Sequence, residues 1–119
     1  MTIGELSKAT DISEYTLRYY ERKGLIRVSR DSGGRRCYAE SDIDWILFIK
    51  RLKDTGMLLK DIEKYSQLRY EGNSTMQERL SMLQAHREFV LEEQKKWAGY
   101  LDNLDSKIAF YKNSIGSVK

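Results

Sequence analysis

The 119-residue sequence has no proline, a single cysteine (Cys37) and a single histidine (His86). One cysteine cannot close an internal disulfide, as expected of a protein from a reducing compartment. Without C-x-x-C or H-x-x-x-H spacing, one chain offers too few soft ligands for zinc, copper or mercury, so no metal site is expected unless a dimer bridges one. Catalytic signatures are also missing: there is no glycine-rich phosphate loop, no G-x-S-x-G and no convergent His/Cys/Asp set. No enzyme and no cofactor is therefore expected. Charged residues interrupt every apolar run well short of the ~20 residues that a membrane-spanning helix requires. With no charged-then-apolar leader at Met1-Thr2-Ile3-Gly4-Glu5, a cytoplasmic location is expected.

What is present suits a small globular unit. Hydrophobic residues make up 40% and charged residues 33% of the chain, with 21 basic against 18 acidic side chains and a net charge of +3. A domain of this length leaves much of its surface unburied, and oligomerisation is a common remedy, so a partner chain is expected. With proline absent, the eight glycines are the main punctuation. Gly24, Gly33-Gly34, Gly56 and Gly72 cut the first 72 residues into helix-sized pieces.

Thr2-Ile3-Gly4-Glu5 has capping-box form and predicts a short helix through Lys8 or Ala9. Asp11-Ile12-Ser13 breaks it, and Ser13 is a suitable N-cap for a second helix that carries Tyr15, Leu17 and Tyr20 and ends at Gly24. Two such helices suggest a helix-turn-helix. Leu25-Ile26-Arg27-Val28 and Arg35-Arg36-Cys37-Tyr38 flank the turn cluster Asp31-Ser32-Gly33-Gly34 and predict a small hairpin wing. Ser41-Asp42-Ile43-Asp44 is expected to cap a third helix, apolar at Ile43, Ile46, Ile49 and Leu52 and widened by Trp45 and Phe48. A fourth helix fits Lys60 to about Tyr70.

From Thr75-Met76-Gln77-Glu78, a second capping-box sequence, a heptad pattern begins. The a positions are Leu80, Arg87, Gln94, Leu101, Ile108 and Ile115, and the d positions are Met76, Leu83, Val90, Trp97, Leu104 and Tyr111. A helix of about forty residues, on the order of 60 Å long, exceeds what the N-terminal segment could cover. Its stripe is expected to pair with the same stripe of a second chain, through Leu83, Val90, Trp97, Leu101, Leu104 and Ile108. The alternative is an intrachain helical hairpin broken near Gly99. The expected organisation is thus an N-terminal unit over 1–72 and a coiled-coil helix over 73–119. His86 falls on the surface of that helix.

Charge is unevenly distributed. Arg18, Arg22, Lys23, Arg27, Arg30, Arg35 and Arg36 stand against only Glu21 and Asp31 between positions 18 and 38, with Tyr15, Tyr19, Tyr20 and Tyr38 interleaved. In helix-turn-helix proteins the second helix and the wing meet the groove and the flanking backbone, where basic side chains displace condensed counterions. A tyrosine hydroxyl can bond a phosphate oxygen while its ring packs below. The bland alternative is a solvated basic face over an aromatic core.

Three runs carry a resemblance: Ile3-Gly4-Glu5-Leu6-Ser7-Lys8, Thr16-Leu17-Arg18-Tyr19-Tyr20-Glu21-Arg22-Lys23-Gly24-Leu25-Ile26, and Gly34-Arg35-Arg36-Cys37-Tyr38 followed by Asp42-Ile43. Over about residues 1–70 the chain resembles the winged-helix DNA-binding domain of the MerR family of bacterial transcription regulators. The resemblance implies a mainly α fold, an N-terminal winged helix-turn-helix followed by an antiparallel dimerisation coiled coil. It also implies a homodimer on a pseudo-palindromic promoter operator in double-stranded DNA, whose spacer it distorts so that RNA polymerase, an indirect partner, meets both promoter elements. The implied DNA-binding residues are Thr16, Arg18, Tyr19 and Tyr20 on the recognition helix, Arg35, Arg36 and Tyr38 on the wing, and Lys60 at a second wing.

Two departures from the family pattern stand out. Its fourth helix commonly opens Gly-Phe/Met-Ser-Leu, whereas Gly56-Met57-Leu58-Leu59 lacks the capping serine. Trp45 to Met57 resembles the NmlR and AdhR branch, but Arg51 stands where that branch usually carries a reactive cysteine. Cys37 is left either as a small apolar filler of the wing or, with Arg35 and Arg36 beside it, as a redox-responsive thiol. Only Gly116-Ser117-Val118-Lys119 follow the last heptad position, so no large C-terminal ligand domain is expected. A signal would enter through the dimer interface, Arg87 and Gln94, a groove beside the third and fourth helices, or Cys37. The polar a positions more simply fix register. A rival of another class is an architectural protein that binds duplexes with little sequence preference.

Overall fold

A computed structural model describes residues 1–117. Along the chain come α1 (Ile3–Thr10), α2 (Glu14–Arg22), β1 (Ser29–Arg30), β2 (Arg36–Cys37), α3 (Glu40–Asp54), α4 (Leu59–Glu71), a 3-10 turn (Asn73–Thr75) and α5 (Met76–Ser117). This is the expected mainly α architecture with a small hairpin wing and a long C-terminal helix. Positions 118 and 119 of the 73–119 segment lie outside the described residues.

The first two helices begin where side-chain oxygens can reach their orphan amides. The Thr2 hydroxyl accepts from the Glu5 amide at 3.1 Å, and Ser13 accepts from the Thr16 amide at 3.1 Å. Asp11 ends α1 in the left-handed region (φ 56°), a conformation that a short polar side chain tolerates. The far end of α2 closes through paired bonds, Gly24 N–H to the Glu21 carbonyl (3.0 Å) and Leu25 N–H to the Tyr20 carbonyl (2.9 Å). Gly24 at φ 75° makes this closure possible, since it puts the turn where other side chains are strained.

Other boundaries differ from the sequence expectation. The strand expected at Leu25–Val28 starts only at Ser29: Leu25 and Ile26 are core residues of a connector, and β1 pairs with β2 as Ser29 with Cys37 and Arg30 with Arg36. An apolar pair before a turn has the same appearance whether it enters a ladder or a core. Helix α3 starts one residue before Ser41, with Ala39 as N-cap. Ala39 offers no side-chain oxygen, but the Asp42 carboxylate accepts its amide at 2.8 Å. Thr75 does not cap α5. Its hydroxyl reaches back to the carbonyls of Leu68 (2.6 Å) and Gly72 (2.8 Å) and accepts from Arg79 Nε at 3.0 Å, fastening the end of α4 to the start of α5. The expected gap at the start of α4 is present: Leu58 provides no capping bond.

The fully buried side chains Leu6, Leu17, Leu25, Ile46, Ile49 and Ile62 come from α1, α2, the connector, α3 and α4, so one core draws on all four early helices. The chain divides into two compact units, one spanning Met1–Met82 and one beginning at Leu83. Within the second unit α5 continues unbroken through Gly99, which overturns the helical-hairpin alternative. Its seam positions Trp97, Leu101, Leu104, Ile108, Tyr111 and Ile115 are all exposed, Trp97 at 68%, while Leu83 and Val90 are half-buried. Phe89, Tyr100 and Phe110 are also exposed, off the a/d seam. Among the described residues, no helix is long and apolar enough to cross a membrane.

Truncating Ile49 to alanine should cost about 2–5 kcal/mol of unfolding free energy, through lost burial and the cavity left behind. Ser13→Ala, which removes only a cap, should cost about 1 kcal/mol. Urea denaturation checks both, and equal losses would contradict the burial pattern.

Candidate nucleic-acid interface

Helix α2 is two-faced. Leu17 and Tyr20 point into the core, while Tyr15, Arg18, Tyr19 and Arg22, spaced at i, i+3, i+4 and i+7, share the outer side. Arg22 and Lys23 lie over the Tyr19 ring, 5.9 and 5.8 Å from its centroid, so the ring is overlaid by two cations. Arg18 and Tyr15 are exposed, and Thr16 and Tyr19 are half-buried.

The wing adds a second basic element. Asp31 organises its tip: the carboxylate accepts the amides of Gly33 (2.9 Å) and Arg35 (3.0 Å), and the Asp31 amide bonds the Arg35 carbonyl at 2.9 Å. Gly34 takes φ 78° to complete the reversal. The base of the wing is held where the Tyr38 amide donates to the Met1 carbonyl at 3.0 Å. Arg35 is exposed, and Arg36 forms an ion pair with Glu21 of α2, Nε to Oε2 at 2.8 Å, which joins wing to helix. In the sequence Glu21 reads only as charge offsetting a basic cluster. Fifteen residues of separation hid its role as the partner of Arg36.

Two expected contact residues require correction. Tyr20 is 2% and Tyr38 3% exposed, so both rings fill the core instead of facing a groove. At Tyr38 the strand has ended: Arg36 and Cys37 of β2 are both exposed, and the residue after them turns inward. Burial pushes both phenols above the ordinary tyrosine range. At Tyr20 the charge of Asp54 and then Tyr19 add to it; at Tyr38 Glu21 adds, while Arg36, Arg18 and Arg30 oppose. The Tyr38 hydroxyl has no hydrogen-bond partner among the described residues. Cys37 is exposed, so it is not the buried filler of the wing. Lys60 is exposed in the first turn of α4, with no hydrogen bond or ion pair joining it to α2 or the wing.

Tyr38→Phe should raise unfolding free energy by about 1 kcal/mol, because it deletes a buried hydroxyl that nothing satisfies. Raised phenol values also set a pH dependence. The folded state holds these protons more tightly than the unfolded one, so their contribution is complete below the unfolded value of about 10 and is lost as pH rises through the folded values. The urea midpoint should fall in that alkaline window, less steeply for Tyr38→Phe.

Residues 1–68 match the family of MerR HTH regulatory proteins. An HTH-type transcriptional regulator of Haemophilus influenzae is 37% identical over 121 residues, covering 99% of this chain and 90% of the relative. The regulator AdhR of Bacillus subtilis is 39% identical over 93 residues, covering 77% of this chain and 66% of AdhR. The crystal structure of HiNmlR, a MerR family regulator lacking the sensor domain and bound to promoter DNA, superposes with a TM-score of 0.84 at 36% identity, over 94% of this chain and 90% of that one. A MerR family regulator from Listeria monocytogenes gives 0.89 at 33% identity, over 94% and 86%. With its winged helix-turn-helix, its long C-terminal helix and these relatives, the chain belongs to the MerR family of helix-turn-helix transcriptional regulators.

Proposed function

We propose that this regulator is a cytoplasmic homodimer that binds a pseudo-palindromic promoter operator and distorts the spacer DNA, acting on RNA polymerase indirectly. The observation that carries the reading is the set of exposed basic side chains on the outer side of α2 and on the wing, which the ion pair between Glu21 and Arg36 joins. Arg18, Tyr19, Arg35 and Arg36 are the proposed contacts, with Thr16 at the edge of the same face. Lys60 is proposed as a separate phosphate contact. A relative of similar length bound to promoter DNA supports the duplex as ligand. The relatives are transcriptional regulators, not enzymes.

Dimerisation is proposed through Leu83, Val90, Trp97, Leu101, Leu104 and Ile108. A row of exposed apolar side chains on one helix is the surface that a second copy of the helix would bury. Two recognition helices held at a fixed separation then require a two-fold related site, and deforming the DNA between the half-sites adds sequence dependence where no side chain reaches. The division proposed is a DNA-binding segment over 1–72 and a dimerisation helix from 73 onward.

Selection of bound duplexes from a random pool at physiological salt should enrich an inverted repeat. Binding without enrichment would instead favour an architectural protein. Arg36→Ala should weaken operator binding by about 1–3 kcal/mol at fixed salt, and unchanged affinity would remove Arg36 from the contact surface. Leu101→Asp places a charge in the seam and should convert the dimer to a monomer by light scattering; a variant that stays dimeric would refute the heptad assignment.

A further inference from the structure

The contact between Arg36 and Glu21 occupies one edge of the guanidinium and leaves the other open. Nε donates to Glu21 Oε2 at 2.8 Å, and neither Nη atom has a hydrogen bond among the described residues. The Arg36 side chain is 38% exposed and that of Glu21 22%, so the carboxylate lies deeper than the cation it holds. The backbone of Glu21 is fixed, because it sits in the last turn of α2, where its carbonyl accepts the Gly24 amide in the helix closure. The buried Tyr38 hydroxyl has no hydrogen-bond partner among the described residues, and the charges of Glu21, Arg36, Arg18 and Arg30 all act on it.

Resting on the DNA reading above, we propose that Glu21 is a positioning residue: it grips Arg36 through Nε and presents the free Nη groups, already ordered, to a DNA phosphate. An arginine on a two-residue strand otherwise samples many rotamers, and ordering it at the moment of binding opposes association. Holding it through Nε in the free protein removes that cost and leaves two parallel donors in the planar fork, the arrangement suited to an oxyanion.

A competing effect has the opposite sign. Glu21 is an acid beside a polyanion, and charge alone would make its removal strengthen binding. Positioning predicts that removal weakens it. The sign of one substitution therefore decides between the two.

The test measures dissociation constants at fixed physiological salt by fluorescence anisotropy. The probe is a labelled duplex carrying the sequence most enriched from the random pool or, without enrichment, a random-sequence duplex. Glu21→Ala should bind about tenfold more weakly. Glu21→Gln, whose amide oxygen still accepts from Nε, should stay within about threefold of the parent. In an Arg36→Ala background, Glu21→Ala should add no further loss. Thermal melts establish that each variant is folded, and Glu21→Asp, too short for the same reach, replaces Glu21→Ala if the latter melts without cooperativity.

Tighter or unchanged binding by Glu21→Ala overturns the proposal. So does equal weakening by Glu21→Gln, or a loss that persists without Arg36. A parent protein that binds no duplex removes the DNA reading and the proposal together. A parent that binds while the variants fail these expectations removes only the role of Glu21.

Discussion

The indole N–H of Trp45 donates to the carbonyl of Leu25 at 2.9 Å, and much of the N-terminal unit is organised around that buried bond. Leu25 follows the closure of α2 and is fully buried, so its carbonyl would be left unsatisfied without a donor from elsewhere in the chain. Trp45 supplies the donor from α3 and stacks on Phe48 and Tyr65, with Arg69 of α4 over its face at 4.2 Å. Tyr70 extends the same fastening: its hydroxyl accepts the Arg27 amide at 3.0 Å while its ring lies 4.5 Å from the Arg27 guanidinium carbon. The end of α2, the connector, α3 and α4 are thereby joined by aromatic rings with polar handles. The face of α2 turned to solvent is fixed as a consequence.

That constraint explains the division of labour among tyrosines that look alike in sequence. Tyr19 and Tyr20 are neighbours, yet one carries two cations over its ring and the other is sealed beneath the helix. The difference is a single helical step of about 100°. Basic side chains collect on the outer side, where water screens their mutual repulsion, and the phenols that turned inward hold their protons more tightly.

Local chemistry was legible in the sequence wherever one short segment decides the outcome. Ser13 could be read as a cap, Gly24 as a closure and the apolar spacing of α3 as a helix, because each depends on neighbours within one turn. Thr75 had the right spacing for a cap, but its hydroxyl serves Leu68, a tertiary use that spacing cannot reveal. Leu25-Ile26 had the composition of a strand, and its place was settled by a carbonyl waiting for Trp45. At the candidate interface Arg18, Tyr19, Arg35 and Arg36 could be named from charge and motif. The burial of Tyr20 and Tyr38 and the bond from Glu21 to Arg36 depend on how helix and wing meet, which no local window contains.

The uncovered seam of α5 makes the two parts of the chain thermodynamically unlike. The N-terminal unit has a core of its own. The long helix buries no side chain of its own, and helices draw most of their stability from the face they pack. In the proposed dimer its order becomes a matter of mass action, rising with protein concentration. Dilution would then uncouple the two recognition helices before either of them unfolds, so the amount of protein in the cell would itself act on occupancy of a two-fold site.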